Sequence, residues 1–442
     1  MASGTTKNIL LFSFDDAVAF WKYKTLFGAE LKTPNLDRIC AHSTAFHSAY
    51  CQAPICGPSR ASFMSGQSPH QSGVLNREQD VFVRIPSEEM WPYLLKQHGY
   101  YSGSAGKVHH GGFKPLPQDK HEIIYSDQPQ EFRLDWRLPE QIRMEFGGYR
   151  NGYATVDPKY DKRFYDYQSA TSAIEFLQTH DSKTPFYRGV GFFGPHGPYI
   201  TPRAYKEMYK EKAFKAPAEW EAGFARSPFM DQHAPENLKT ERWKHWKKSV
   251  RNYFSALTHT DHHLGRVWDT LKASPHADNT VVIIISDHGL HLGERRRMRK
   301  TTLWEQVANV PLIIHDPDIP QAQVVTDPVA LLDVAPTVMD YVGLPAGTNW
   351  LGRSLRPMLQ GERDPDRAVP TFLDNSSAIR KGKYRFIRYE DGTTQFFDLE
   401  ADWWQTTDLG PDHPDYAAMR AAHDACCHEH GFDPDSVAVA AQ

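Results

Sequence analysis

Cys56-Gly57-Pro58-Ser59-Arg60, continued by Ala61-Ser62-Phe63-Met64-Ser65-Gly66, sets a thiol just ahead of a stretch that reads as a helix start. Proline is tolerated in a first helical turn and serine can cap it. A nucleophile there sits where anionic charge is favoured. Elsewhere, Asp15-Asp16 and Asp287-His288 supply three carboxylates and one imidazole, an oxygen-rich set suited to a hard divalent cation. Each pair alone is an ordinary solvated strand end; together with the cysteine motif they suggest one site. A thiolate is a poor ligand for a hard cation, so an unmodified Cys56 fits such a site badly.

These residues need strands to bring them together. Asn8-Ile9-Leu10-Leu11-Phe12-Ser13-Phe14 is an apolar run ending in Asp15-Asp16 and reads as a buried parallel strand. Pro185 to Phe193 and Val281 to Ile285 read the same way, followed by Pro195-His196 and by Ser286-Asp287-His288. Open α/β sheets bind ligands beyond the carboxyl ends of their strands, so three strands can aim polar residues at one crevice. Tyr253, Leu257, Leu264 and Leu271 predict an amphipathic helix over 253–271. The segment from about Ala204 to Lys248 shows no clean period and reads as a surface excursion that lines or covers the site. Tyr384–Arg388 and Gln395–Leu399 form a predicted hairpin with a turn at Asp391-Gly392. The expected fold is α/β, a large mixed, mostly parallel sheet sandwiched by helices over residues 1–350. A smaller C-terminal α+β subdomain with an antiparallel sheet is expected over 351–442.

Composition narrows the classes of partner. The 442 residues allow one large domain plus a modest second one. Hydrophobic residues at 40% and charged residues at 24% suit an ordinary globular chain rather than a disordered one. A formal net charge of -4 gives no electrostatic support for nucleic acid. The local exception is Arg295-Arg296-Arg297-Met298-Arg299-Lys300, read as a solvated or substrate-facing basic run that an anionic glycan would suit. No stretch approaches a membrane span, and Met1 to Lys7 lacks the apolar core of a secretory signal. Five cysteines form an odd, poorly spaced set, which argues against a disulfide framework. A cytoplasmic location is expected, or a periplasmic or secreted one if a leader precedes these residues. Oligomeric state has no signal in the sequence.

The cysteine motif resembles the C-x-P-S-R signature of the type I sulfatases, formylglycine-dependent enzymes of the alkaline phosphatase superfamily. The resemblance extends to Thr33-Pro34-Asn35-Leu36-Asp37, Gly106-Lys107, Pro195-His196, Asp261 to Gly265, Ser286-Asp287-His288-Gly289, Val310-Pro311-Leu312 and Phe397 to Asp402. His288, Gly106-Lys107-Val108 and His110 lean toward the iduronate-2-sulfatase-like and choline-sulfatase-like branches. Trp403-Trp404-Gln405 departs from the family pattern of a proline and acidic residues.

The resemblance implies a sulfuric ester hydrolase in which Cys56 is converted to formylglycine by a maturation enzyme. Its hydrate would offer one oxygen to a metal, Ca²⁺ or alternatively Mg²⁺, held with Asp15, Asp16, Asp287 and His288. Lys107 would neutralise sulfate oxygens, and Arg60 would steady the modified residue and the carboxylates. His196 and Lys300 would serve the leaving alcohol. The segment Ala105 to Gly112 carries both His109 and His110, and either could be the base that releases sulfate. His110, His196, His291, Arg295 and the excursion are expected to build the substrate pocket. The substrate is expected to be a small-molecule or glycan sulfate ester. A phosphodiester or phosphonate monoester hydrolase on the same scaffold is the alternative, and a silent binding protein with an intact Cys56 thiol is the third reading.

Overall fold

Eleven of the fourteen residues in the runs 8–14 and 280–286 are apolar or β-branched, which gives a sheet with two greasy faces, and the central sheet is built on them. The computed structural model describes residues 6–111, 116–132, 143–149 and 152–436; Met1 to Thr5, Gly112 and the last residues from 437 lie outside the described residues. The sheet's seven strands are β1 (Asn8–Asp15), β2 (Thr44–Phe46), β3 (Tyr101–Gly106), β4 (Phe186–Pro195), β5 (Thr280–Ser286), β6 (Leu312–His315) and β7 (Gln323–Val325). Their spatial order is β7-β2-β6-β5-β1-β4-β3. Strands β5, β1, β4 and β3 run parallel, and β6 alone is antiparallel to both neighbours. The expected mixed, mostly parallel sheet is the one observed.

Alternation along the central strands feeds two cores. Leu10, Phe12, Val282 and Ile284 join one, Ile9, Leu11, Val281 and Ile283 the other, and all are essentially inaccessible. Helices α2 (Tyr165–Thr179) and α3 (Trp246–Lys272) cover the first face. Helices α1 (Cys56–Ser65) and α4 (Val334–Val342) cover the second. Fully burying both faces is what a parallel sheet requires.

Helix α3 begins at Trp246, earlier than the expected Tyr253. The extra turns are recruited by tertiary packing: the Trp246 indole donates to the Leu292 carbonyl at 2.6 Å, and Val250 is buried. Helix α1 also departs from expectation. It starts at Cys56 with Ile55 as N-cap and no side-chain cap, because the Ser59 hydroxyl donates instead to the Asp287 carbonyl.

A second sheet is a four-stranded antiparallel meander of β8 (Val369–Leu373), β9 (Ser376–Lys381), β10 (Tyr384–Arg388) and β11 (Thr394–Asp398). The anticipated hairpin is its β10–β11 pair, with Tyr384 opposite Asp398 and Arg388 opposite Thr394. Helix α5 (Tyr416–Glu429) covers it. Arg385 on β10 donates to the Leu303 carbonyl at 2.7 Å, and the Trp304 indole to Gln395 at 3.0 Å, so the meander shares a core with the loop after β5.

Candidate active site

Register alone places the first carboxylates. Strand β1 lies between β4 and β5, with Asp15 opposite Pro195 and Phe14 opposite Ser286. Asp15-Asp16, His196 and Asp287-His288 therefore emerge together at the carboxyl edge of the sheet. Asp16 takes a left-handed backbone, φ 67°, and its N–H reaches Asp287 Oδ1 at 3.2 Å. That turn leads the chain out of the strand while the carboxylate stays at the edge.

Helix α1 brings Cys56 to the same point. Its Sγ lies 3.4 Å from Asp15 Oδ1, 3.2 Å from His288 Nε2 and 2.8 Å from Lys300 Nζ. Lys300 also donates to Asp16 Oδ1 at 2.8 Å, and Lys107 to Asp15 Oδ2. Arg60, from the same helix, is 1% exposed and donates to Asp287 Oδ2 at 2.9 Å, Ser13 Oγ at 2.8 Å and the Phe14 carbonyl at 3.0 Å. One fully buried guanidinium thus ties β1, α1 and the β5 edge. His196 Nε2 stands 3.9 Å from Asp16 Oδ2.

Electrostatics follow from packing three carboxylates and a thiol among two lysines and an arginine. Burial by itself would raise the Asp16 pKa, but Lys300 and His196 override it and hold the carboxylate down at about 2. Asp15 is likewise held well below the usual range against burial, by Lys107 first and then His196, Lys300 and Arg60. Burial and Asp15 push the Cys56 thiol up; Lys300, Lys107 and His288 outweigh them and bring it well below an ordinary thiol. Position 56 is built to carry negative charge.

The residues present fit a hard cation. Donor atoms of Asp15, Asp16, Cys56 and His196 lie within 4.8 Å of one another, as do those of Asp15, Cys56, Asp287 and His288. Asp16 Oδ2 is buried with no hydrogen-bond partner, an orphan acceptor that a cation would satisfy. All five residues expected as ligands are together. His196, expected at the leaving group, adds a donor that the sequence did not assign to this set.

The two histidines after Lys107 separate. His109 turns away to the Tyr125 hydroxyl at 2.6 Å, and burial, aided by His121 and Arg60, lowers its pKa to about 3. His110 packs against Gly57 beside Cys56. The expected pocket is corrected at His291, and the expected solvation of the basic run at Arg295 and Arg297. His291 is fully buried, bonded to Glu294 at 2.5 Å and Thr302 at 2.7 Å. Arg295 and Arg297 are buried rather than solvated: both donate to backbone carbonyls and Arg297 also to Asp231, while only Arg296 of the three is exposed; Arg295 still lines a groove with residues of the excursion, as expected. Sequence reasoning missed the aromatic-walled cavity beside His196, formed by Tyr160, Phe164, Tyr165, Phe193 and His259, because Phe193 reads only as the end of a strand and the others carry no motif.

A mostly parallel α/β sheet with acidic, basic and thiol groups converging at its carboxyl edge is the frame of a candidate site for an anionic ester. The family model described as Sulfatase matches residues 7–344, and the chain belongs to the sulfatase family, enzymes that hydrolyse sulfate esters. It is 30% identical over 410 residues to a sulfatase of Formosa agariphila, covering 85% of this chain and 77% of that one. It is also 30% identical over 428 residues to the choline-sulfatase of Rhizobium meliloti, covering 89% and 82%. A phosphonate monoester hydrolase of Agrobacterium radiobacter shares the fold, with a TM-score of 0.76 at 21% identity over 96% of this chain and 95% of that one.

Proposed function

We propose that the protein hydrolyses a sulfated carbohydrate or other small sulfate ester through formylglycine derived from Cys56. The observation that carries this reading is the setting of Cys56: a side chain at a helix N-terminus, ringed by Asp15, His288 and Lys300, beside an orphan carboxylate oxygen. A divalent cation, Ca²⁺ or alternatively Mg²⁺, held by Asp15, Asp16, Asp287, His288 and the modified residue, would supply positive charge to the sulfate oxygens.

The chain's own residues do the rest. Lys107 and Lys300 flank the sulfate and offset charge that grows on its oxygens. One hydroxyl of the hydrated aldehyde at position 56, its proton already lost to solvent and its oxyanion held by Lys300 and Lys107, forms a bond to sulfur as the bond from sulfur to the ester oxygen breaks. His196 or Lys300 gives that oxygen its proton, so the alcohol leaves neutral. His110 then takes the proton of the second hydroxyl; the carbonyl re-forms and expels sulfate, and addition of a water to the aldehyde restores the hydrate. Arg60 keeps Asp287 and the helix start in register throughout.

The test is turnover of an aryl sulfate against an aryl phosphodiester by protein co-expressed with a maturation enzyme, with mass spectrometry of the Cys56 peptide. Conversion to the aldehyde and faster sulfate cleavage support the reading. Faster phosphodiester cleavage would establish the alternative phosphodiester or phosphonate monoester activity, which the shared fold allows. A retained thiol after competent maturation would leave a silent binding protein.

A further inference from the structure

The basic run that precedes Lys300 is not consumed by the reaction, and it borders a groove of about 590 Å³. One wall is the loop 293–297; the other comes from the excursion, through Trp220, Phe224, Arg226 and Trp243. We propose that this groove binds an anionic carbohydrate unit, a sugar bearing sulfate or carboxylate, which places the substrate among acidic oligosaccharides; this rests on the sulfatase reading above.

Four observations converge on that occupant. Arg295 and Arg296 both hold left-handed backbone, φ 54° and 53°, a state uncommon for residues other than glycine that gathers at ligand sites. Neither guanidinium has a carboxylate partner among the described residues. Arg295 is 5% exposed and spends Nη2 on the Gln405 carbonyl at 2.7 Å and Nη1 on the Ala225 carbonyl, while its Nε is buried and unpaired. The Trp220 indole N–H, across the groove, is also buried and unpaired. Two unsatisfied donors lining one cavity call for an acceptor.

The third feature is the stacking. Arg296 lies over the Trp243 ring at 4.0 Å, which holds its guanidinium flat and leaves its edge donors free. Arg295 lies over Trp304 at 4.0 Å and Phe224 at 5.0 Å. Partly exposed Trp220 and Phe224 offer apolar faces for a ring, and planar edge donors recognise sulfate or carboxylate. The groove's acids weaken this field only in part. Asp231 is taken up by Arg226 at 2.7 Å and Arg297 at 2.9 Å, which leaves Glu221 and Glu236 against Arg295 and Arg296. The recognition is therefore by geometry rather than by bulk charge, and nucleic acid is disfavoured.

The fourth feature is proximity along the chain. Lys300, at the active site, follows Arg297 by three residues on the same loop. An acidic sugar anchored by Arg296 would belong to the same substrate molecule whose ester meets Lys300.

The experiment is calorimetric titration of a Cys56→Ala variant, which cannot turn over, with a heparin-derived disulfated disaccharide and its desulfated counterpart. Saturable binding is expected, weakened about tenfold on desulfation and about tenfold by Arg296→Ala, as for loss of a charged hydrogen bond. Trp220→Phe, which keeps the ring and removes the donor, is expected to weaken it severalfold. Mature Arg296→Ala enzyme should cleave a small aryl sulfate at the unaltered rate. Equal affinity of the sulfated and desulfated sugars, or no change on Arg296→Ala, overturns the groove and leaves the sulfatase reading intact. Normal saccharide binding by matured protein that cleaves no aryl sulfate would overturn the reaction while the groove stands.

Discussion

The His110 ring lies next to Gly57, where a methyl group would stand in ordinary van der Waals contact with it, 3.6 Å from His110 Cδ2. Its neighbour His109 faces the opposite way and is spent on Tyr125. Only one of the pair is beside position 56. His110→Ala should lower turnover by about 10²- to 10⁴-fold, the range for loss of a general base. Because the base acts after the alcohol has left, the variant should accumulate a sulfated enzyme visible by mass. His109→Gln should turn over at near the wild-type rate. The opposite ranking of the two variants would transfer the role to His109.

Cys56→Ser tests why the residue must be a precursor. Serine restores an oxygen among Asp15, His288 and Lys300 but carries a single hydroxyl. It can take the sulfate and cannot eject it by re-forming a carbonyl. One equivalent of alcohol per enzyme, followed by arrest, is expected in a burst experiment with an aryl sulfate. Continuous turnover by the serine variant would contradict the proposed release step.

Asp16 makes a prediction about pH in the metal-free protein. Its carboxylate is fully buried with a pKa of about 2, below the ordinary 3.8, through Lys300 and His196. A depressed carboxylate contributes stability that is present above the unfolded value and is lost as pH falls through the folded one. The window is therefore roughly pH 4 to 2, and the contribution is about 2 kcal/mol. Urea titrations in chelator across that window should show the wild type losing about this much more stability than Asp16→Asn. Parallel profiles for the two proteins would show that the Asp16 charge is not held by its neighbours. Adding Ca²⁺ at neutral pH should stabilise the wild type and leave the variant little changed.

The legible part of this site was the part carried by strand ends. Apolar runs that stop at Asp15, Pro195 and Asp287 report both the strands and the edge at which their last residues meet, because a parallel sheet must bury its faces and open its carboxyl end. What lay outside the sequence was side-chain direction. His109 and His110 differ by one residue and point to different sides of the chain. His291 reads as a wall of the substrate pocket, yet Glu294 and Thr302 satisfy it in the interior. The basic run reads as solvated or substrate-facing, yet the Trp304 ring covers Arg295 and Arg297, and Phe224 of the excursion lies over Arg295 as well. Helix α3 starts early because Trp246 finds Leu292, a partner distant in sequence. Each departure is a long-range contact overriding a local preference.

Gly191 on β4 shows how strictly the scaffold sets Lys107. A methyl group there would stand 2.1 Å from the Lys107 carbonyl carbon and 2.3 Å from its nitrogen, whose N–H donates to the Gly191 carbonyl at 3.1 Å. Those atoms are backbone and have no rotamer by which to retreat. Gly191→Ala must therefore push the 106–108 turn away from the sheet, and the Lys107 ammonium away from Asp15. Overpacking of this kind costs about 1–3 kcal/mol, which thermal unfolding would register. The cost to catalysis should be larger, since a misplacement of about 1 Å at a charged group lowers rates on the order of 10²-fold. Turnover measured well below the unfolding transition should accordingly fall much further than the folded fraction does. If Gly191→Ala proves folded and fully active, β4 does not position Lys107, and that lysine would have to be placed by its pairing with Asp15 alone.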